Sequence, residues 1–147
     1  MKRKTLPLLC IILLAGLSGC MSVPDPADVP VEKTIGELSQ KGQESMDRSN
    51  YKAAEVYYQL IIDRFGTDTA ALTAAEFEIA HIRVKQKHWD DARTRLEAIL
   101  ARYETTGSTT LPPEYRVLAR NDLARIPGAE TAAGTEGSGS KAQTEAK

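Results

Sequence analysis

The sequence predicts an all-α protein, built as a helical-hairpin solenoid of two repeats followed by a C-terminal capping helix. Two observations support this prediction. Residues 34–111 contain no proline, and their apolar residues recur at helical spacing, with no stretch that alternates at the period of two typical of strands. The helical pattern then returns after 38 residues, and a period of about this length is typical of repeated helical hairpins.

Capping signals place the first two helices. Thr34 and Glu37 have the spacing of a capping box, in which each side chain accepts a hydrogen bond from the other residue's backbone N–H. The first helix should therefore begin near Ile35. Its expected buried stripe consists of Ile35, Leu38, Gly42 and Met46. Asn50 is a favourable N-cap for a second helix, which should end at Gly66.

The apolar pattern predicts three more helices. The third is expected over residues 69–86 and the fourth over residues 89–103, where Asp90 and Asp91 complement the dipole of the first turn. Pro112 and Pro113 are tolerated at a helix start, where backbone N–H groups have no partner within the helix. They open a fifth helix whose expected apolar stripe is Tyr115, Leu118, Ala119, Leu123 and Ile126.

The first twenty residues have the pattern of an export signal. Residues 1–4 are basic, and residues 5–19 are uncharged, too short to span a membrane but typical of a signal peptide. Leu17-Ser18-Gly19-Cys20 resembles the lipobox of bacterial lipoproteins. The resemblance implies cleavage after residue 19 and acylation of Cys20, which would anchor the mature protein to a membrane. Met21 in place of Asp favours the outer membrane and its periplasmic face. An ordinary secretory signal or a short anchor is the alternative.

The chain divides into four parts. Residues 1–19 are the expected signal peptide, residues 20–33 the lipidated cysteine and a proline-rich linker, and residues 34–127 the helical domain. Pro24, Pro26 and Pro30 favour an extended linker, which should act as a spacer. Residues 128–147 lack large apolar side chains and should form a disordered tail.

Composition excludes several kinds of site. The 19 Lys and Arg against 20 Asp and Glu argue against a nucleic-acid partner, and removal of residues 1–19 leaves a mildly acidic chain without an expected lipid-headgroup patch. Cys10 and Cys20 both precede the domain, so it can have neither a disulfide nor a thiolate metal site. His81 and His88 lack the spacing of a zinc motif and are expected at the surface. No cofactor, metal or small-molecule substrate is predicted.

The repeat resembles a known family. A shift of 38 residues superimposes three pairs: Tyr51 on Trp89, Ala54 on Ala92 and Gly42 on Ala80. Small residues at 42, 54, 80 and 92 predict where the two helices of each hairpin approach most closely. These aromatic, alanine and small positions resemble the tetratricopeptide repeat. The 38-residue spacing and the joint at residues 64–68 are similar to BamD-type and related envelope lipoproteins.

The resemblance implies a concave groove that binds a partner. In that family the inner face of each first helix lines the groove. The corresponding positions are Gly36, Ser39, Gln43, Met46 and Asp47 in the first unit and Ala74, Phe77, His81, Val84 and Lys85 in the second. Met46, Phe77, His81, Val84 and Lys85 are the candidate contact residues. Phe77, His81 and Val84 could form an exposed apolar patch, or Phe77 could pack against the preceding hairpin.

A non-enzymatic envelope adaptor is the favoured function. By resemblance, its partner would be an envelope protein such as the outer-membrane β-barrel assembly machinery. One alternative is a peptidoglycan-associated hydrolase or enzyme accessory with Glu76 or Glu78 as general acid, which requires a carboxyl of raised pKa in a cleft. Another is a structural spacer or a pilotin-type lipoprotein. The sequence does not choose among these partners.

Overall fold

The computed structural model describes residues 22–105 and 111–128, and these residues confirm the all-α class. They form five α-helices: α1 (Ile35–Asp47), α2 (Tyr51–Phe65), α3 (Thr69–Lys85), α4 (Trp89–Thr105) and α5 (Pro113–Ala124). Each helix packs on the next, and α5 also packs on α3, so antiparallel hairpins are stacked into a helical-hairpin solenoid. The expected signal peptide, Cys20 and the tail from residue 129 lie outside the described residues.

Side-chain caps begin the first three helices. Thr34 and Glu37 form the predicted capping box, and the bonds from Thr34 and Lys33 lower the pKa of Glu37 to about 2. Asn50 accepts from the backbone N–H of Ala53 and begins α2, as predicted. Asp68 caps α3 by accepting from two backbone N–H groups. The hairpin boundaries are therefore set by local chemistry.

The backbone of the two hairpin turns repeats after 38 residues. Ser49 and Lys87 both have positive φ, 58° and 61°. In each turn the N–H of the following residue donates a hydrogen bond to the carbonyl five residues before it. Asn50 donates to Ser45 at 2.8 Å, and His88 donates to Arg83 at 2.9 Å. Equivalent residues therefore have equivalent backbone conformations and hydrogen bonds, and the predicted repeat is confirmed at this level.

Two apolar clusters form the core. The first joins α1, α2 and α3, and the second joins α3, α4 and α5, so α3 contributes to both. Gly42 is buried in α1, and a Cβ added there would lie 2.6–3.0 Å from ring atoms of Tyr58. The 38-residue equivalents are Ala80 and Leu96, both fully buried in the second cluster. In the second repeat, Leu96 is smaller than its equivalent Tyr58, and Ala80 is larger than its equivalent Gly42.

The expectation of an extended spacer is wrong for residues 22–33, here called the N-terminal segment. Val29 is buried in the first core cluster, and a 3-10 turn (Pro26–Asp28) precedes it. The Arg64 guanidinium donates to the backbone oxygens of Val29 and Pro30 at 2.9 and 2.8 Å. At the other end, Asn50 Nδ2 donates to Ser22 O at 2.9 Å. The segment therefore packs along α2 from its first to its last turn.

The predicted stripe of α5 is wrong at one position. Ala119 and Ile126 are buried, and Tyr115 and Leu123 pack on the second cluster, but Leu118 remains 41% exposed. The reason is that α5 packs mainly on α3 and α4 within the described residues. Leu118 lies at the edge of the covered face and lines a groove instead.

Candidate functional site

A groove lies between the C-terminal halves of α1, α3 and α5. These alternate helices run in the same direction, because two turns separate each from the next and each turn reverses the chain once. The groove has a volume of about 350 Å³. Its lining residues are Gln43, Met46, Asp47, Phe77, Glu78, His81, Lys85, Leu118, Asn121, Asp122 and Arg125. Helices α1 and α3 supply the inner faces that the repeat resemblance implied, and α5 closes the third side.

The structure brings four of the five predicted contact residues together. Met46, Phe77, His81 and Lys85 all line the groove. Val84 is absent from this lining and belongs to the second core cluster. Of the four, Lys85 is exposed and His81 is half-buried, whereas Met46 is buried. The polar residues at the rim are therefore the accessible part of the predicted set.

The expectation of an exposed patch formed by Phe77, His81 and Val84 is wrong. Phe77 and Val84 are 5% and 8% exposed. The Phe77 ring stacks on His81 with centroids 5.9 Å apart and meets Tyr115 of α5 at 5.5 Å. The last helix thus covers the aromatic side chain. Phe77 supports the groove floor and joins α3 to α5, which is a packing role with the following helix rather than the preceding hairpin.

Asp122 was not predicted and is the most buried polar residue of the groove. Its side chain is 4% exposed, accepts from Arg125 Nη1 at 3.0 Å and lies 2.5 Å from His81 Nδ1. Since a carboxylate accepts, His81 Nδ1 is the donor. The pair joins residues 41 apart in sequence, and so periodicity could not find it. The one available signal was an aspartate adjoining the apolar stripe of α5.

Glu78 lies in the groove and in a smaller adjoining cavity that it shares with Tyr58 and Tyr115. Burial raises the pKa of the Glu78 carboxyl, His81 opposes this change, and the negative charge of Asp122 adds to it. Burial likewise raises the pKa of Tyr58 and Tyr115. Glu78 is therefore a carboxyl whose ionisation is disfavoured, held in a partly enclosed space.

Glu76, the other carboxyl considered from sequence, has a different environment. It forms an ion pair with Arg102 of α4, outside the groove lining. Arg83 similarly joins three helices, pairing with Glu55 of α2 and Asp91 of α4. These two arginines link α3 to its neighbours on the side away from the groove. Of the two glutamates, Glu78 alone lines the groove.

The groove offers a negative charge, a positive charge and a neutral amide, together with little exposed apolar surface. Gln43, Asp47 and Lys85 are exposed at its sides, and Leu118 is its exposed apolar residue. Among residues 22–105 and 111–128, no group of three His, Cys, Asp or Glu is placed to hold a metal ion. The exposed residues of the groove are therefore polar or charged except for Leu118.

One relative extends over most of the chain. An uncharacterized protein of Treponema pallidum (strain Nichols) is 47% identical over 110 residues, which cover 75% of this chain and 44% of that protein. The chain therefore spans less than half the length of this relative. No protein-family model and no solved structure matches the chain.

None of the helices within the described ranges combines the length and apolar character needed to cross a membrane.

Proposed function

We propose that the protein is a lipid-anchored adaptor of the bacterial envelope that binds a segment of another envelope protein in its groove. The observation that carries the proposal is the convergence of α1, α3 and α5 on one groove with exposed Gln43, Asp47 and Lys85. Hairpin stacking fixes these side chains on a rigid inner face, which is the arrangement that lets few polar groups select a partner. The outer-membrane β-barrel assembly machinery is the partner class that the repeat resemblance suggests.

Attachment to the membrane is assigned to Cys20. The lipobox residues 17–20 support acylation of its thiol and new amino group, and two or three acyl chains give stable anchoring where one does not. Cys20→Ser should yield protein that incorporates no labelled palmitate and leaves the membrane fraction. Palmitate incorporation and unchanged fractionation in this variant would exclude the anchor.

The groove assignment is tested by charge reversal at its rim. Lys85 is exposed and makes no ion pair within the described residues, so Lys85→Glu should leave the fold intact while reversing the charge offered to a partner. The matched control is Glu97→Lys, which reverses an exposed charge of α4 away from the groove lining. After crosslinking in cells, the envelope protein recovered with wild type should be lost from Lys85→Glu alone.

A hydrolase is a second candidate, favoured by one observation. Glu78 has the raised pKa and partial enclosure that a general acid needs. The carboxyl of Asp122, however, is bound by His81 and Arg125, so it is a poor choice for the second catalytic carboxylate. Release of soluble fragments from peptidoglycan by wild type and not by Glu78→Gln would establish this activity. The adaptor proposal predicts no release by either.

A further inference from the structure

We propose that one edge of the solenoid lies directly against an anionic lipid surface. This edge, here called the turn edge, consists of the α1–α2 turn at residues 48–50, the α3–α4 turn at residues 86–88 and the first turns of α2 and α4. The proposal rests on lipidation of Cys20, the anchor of the proposed function. It adds which face of the domain meets the membrane and which lipid chemistry holds it there.

The N-terminal segment places the anchor at the turn edge. Asn50, the last residue of the α1–α2 turn, donates a hydrogen bond from Nδ2 to the backbone oxygen of Ser22 at 2.9 Å. Ser22 follows Cys20 by two residues, and two residues span at most about 7 Å. Arg64 holds Val29 and Pro30 at the opposite end of α2, so the segment is fixed at both ends. A lipid on Cys20 would therefore hold the turn edge close to the bilayer.

The second hairpin turn lies at the same edge. Arg83, near the end of α3, pairs with Glu55 in the second turn of α2 and with Asp91 in the first turn of α4. Arg93 of α4 donates to Pro127 O just after α5, at 3.5 Å. These contacts bring the starts of α2 and α4 and the ends of α3 and α5 together. A membrane that meets one turn would meet both.

Basic side chains outnumber acidic ones, three to two, among the exposed charges of this edge that form no ion pair in the described residues. Arg48, Lys52 and Lys87 are exposed and make no ion pair within the described residues. The turns also carry two exposed acids, Asp47 and Asp90, which form no ion pair within the described residues. The acids Glu55 and Asp91 are balanced by two arginines, because Arg83 pairs with both and Arg95 pairs with Asp91 at 2.8 Å. The mild acidity of the whole chain hides this local excess of positive charge.

The opposite edge has a different charge balance. Two bases there are paired, Lys33 with Glu37 at 2.9 Å and Arg116 with Glu104 at 2.7 Å, and the half-buried Arg64 is bound to backbone oxygens. Asp63 and Asp68 are exposed at the same end. Electrostatic attraction to lipid falls off within about 8 Å at physiological ionic strength. Only an edge held close to the lipid is attracted in this way, and the anchored turn edge is the one with an excess of basic side chains.

The test measures which edge faces the lipid. Full-length lipidated protein, purified from membranes, is reconstituted into phosphatidylcholine vesicles with or without phosphatidylglycerol. A fluorophore is attached to His88→Cys at the turn edge or to Thr67→Cys in the α2–α3 turn, both exposed sites. The 17 residues of α3 separate the two sites by about 25 Å. A headgroup-linked quencher then reports proximity to the lipid.

With phosphatidylglycerol, the ratio of quenching at residue 88 to that at residue 67 should be well above one, because a separation of about 25 Å keeps residue 67 out of reach of the headgroup quencher. Arg48→Glu with Lys52→Glu should reduce this ratio, as should vesicles of phosphatidylcholine alone, since each basic residue near an anionic surface contributes about fivefold in affinity. Lys41→Glu with Arg120→Glu, exposed midway along α1 and α5, should leave the ratio unchanged.

Equal quenching at both sites in acylated, vesicle-bound protein would overturn the proposal. A ratio insensitive to phosphatidylglycerol and to the Arg48 and Lys52 reversals would also overturn it, because the tether alone would then orient the domain. Absence of acyl chains from the mass of the purified protein would instead refute the anchor of the proposed function. The two failures are therefore distinguishable.

Discussion

Gly42 is the position where the packing of the first hairpin is most sensitive to one added methyl group. In Gly42→Ala the new Cβ would lie 2.6, 2.8 and 3.0 Å from the Cζ, Cε1 and Cε2 atoms of Tyr58, against a favourable carbon–carbon separation of about 3.5–4.0 Å. The ring would have to move by about 1 Å. It is 3% exposed and its hydroxyl donates to Gln43, so little free space is available.

Two opposing effects set the magnitude. Overpacking in a core costs about 1–3 kcal/mol. Replacing glycine by alanine within a helix recovers roughly 0.5–1 kcal/mol. Gly42→Ala should therefore destabilise the domain by about 1–2 kcal/mol and lower the Tm by roughly 5–10 °C for a domain of this size. Thermal unfolding followed by far-UV circular dichroism measures the change.

The second repeat supplies the compensating variant. Tyr58→Leu recreates at residue 58 the leucine that stands at the equivalent position 96 beside Ala80. In this background Gly42→Ala should raise the Tm, because the alanine then fills space that the ring has vacated. Gly36→Ala is the control on the same helix, since its nearest neighbour would be Thr34 Oγ1 at 4.0 Å. A Tm raised by Gly42→Ala in wild type, or the same change in both backgrounds, would refute the reasoning.

Three further substitutions test the groove. Glu78→Gln should raise the Tm near pH 7 but not near pH 3. Burial raises the pKa of Glu78 in the folded protein, so its ionisation destabilises the fold only at pH values above the ordinary carboxyl pKa. An equal gain at both pH values would contradict this. Asp122→Ala should cost about 1–3 kcal/mol and speed amide hydrogen exchange in α5; unchanged exchange would argue against the link to His81. Phe77→Ala should cost about 3–5 kcal/mol in denaturant unfolding, whereas an exposed contact residue would cost almost nothing.

Local chemistry made most of the fold predictable. The caps at Thr34 and Asn50 and the stop near Gly66 depend on residues within one turn of the helix ends, so sequence spacing reveals them. The 38-residue period predicted both hairpins because each must bury the same face against its neighbours. The matching positive φ at Ser49 and Lys87 follows from that period.

Contacts between distant residues were not predictable in the same way. Prolines at 24, 26 and 30 are compatible with a free spacer, and the N-terminal segment is seen to be docked from the burial of Val29 and from the hydrogen bonds of Asn50 and Arg64 to its backbone oxygens. A helical stripe shows which residues are apolar but not how much of a last helix is covered, which explains the error at Leu118. The net charge of the chain likewise does not show how its charged residues are divided between the two edges of the folded domain.

The candidate groove was predicted in part. The repeat resemblance located Met46, Phe77, His81 and Lys85 on the inner faces of α1 and α3, and all four line the groove. It could not show that α5 would fold back over Phe77 or add Asp122 to the same space. The position of the last helix depends on packing between helices far apart in sequence, and that packing removed Phe77 from the accessible surface.

Site-specific photo-crosslinking in intact cells tests the adaptor claim most directly. A photoreactive residue at Lys85 faces the groove, and one at Glu97 on the exposed side of α4 serves as the control. One envelope protein should be crosslinked from residue 85, should not be crosslinked from residue 97, and should be lost in Cys20→Ser. No crosslink from residue 85 in cells that contain abundant anchored protein, or the same products from both positions, would contradict it.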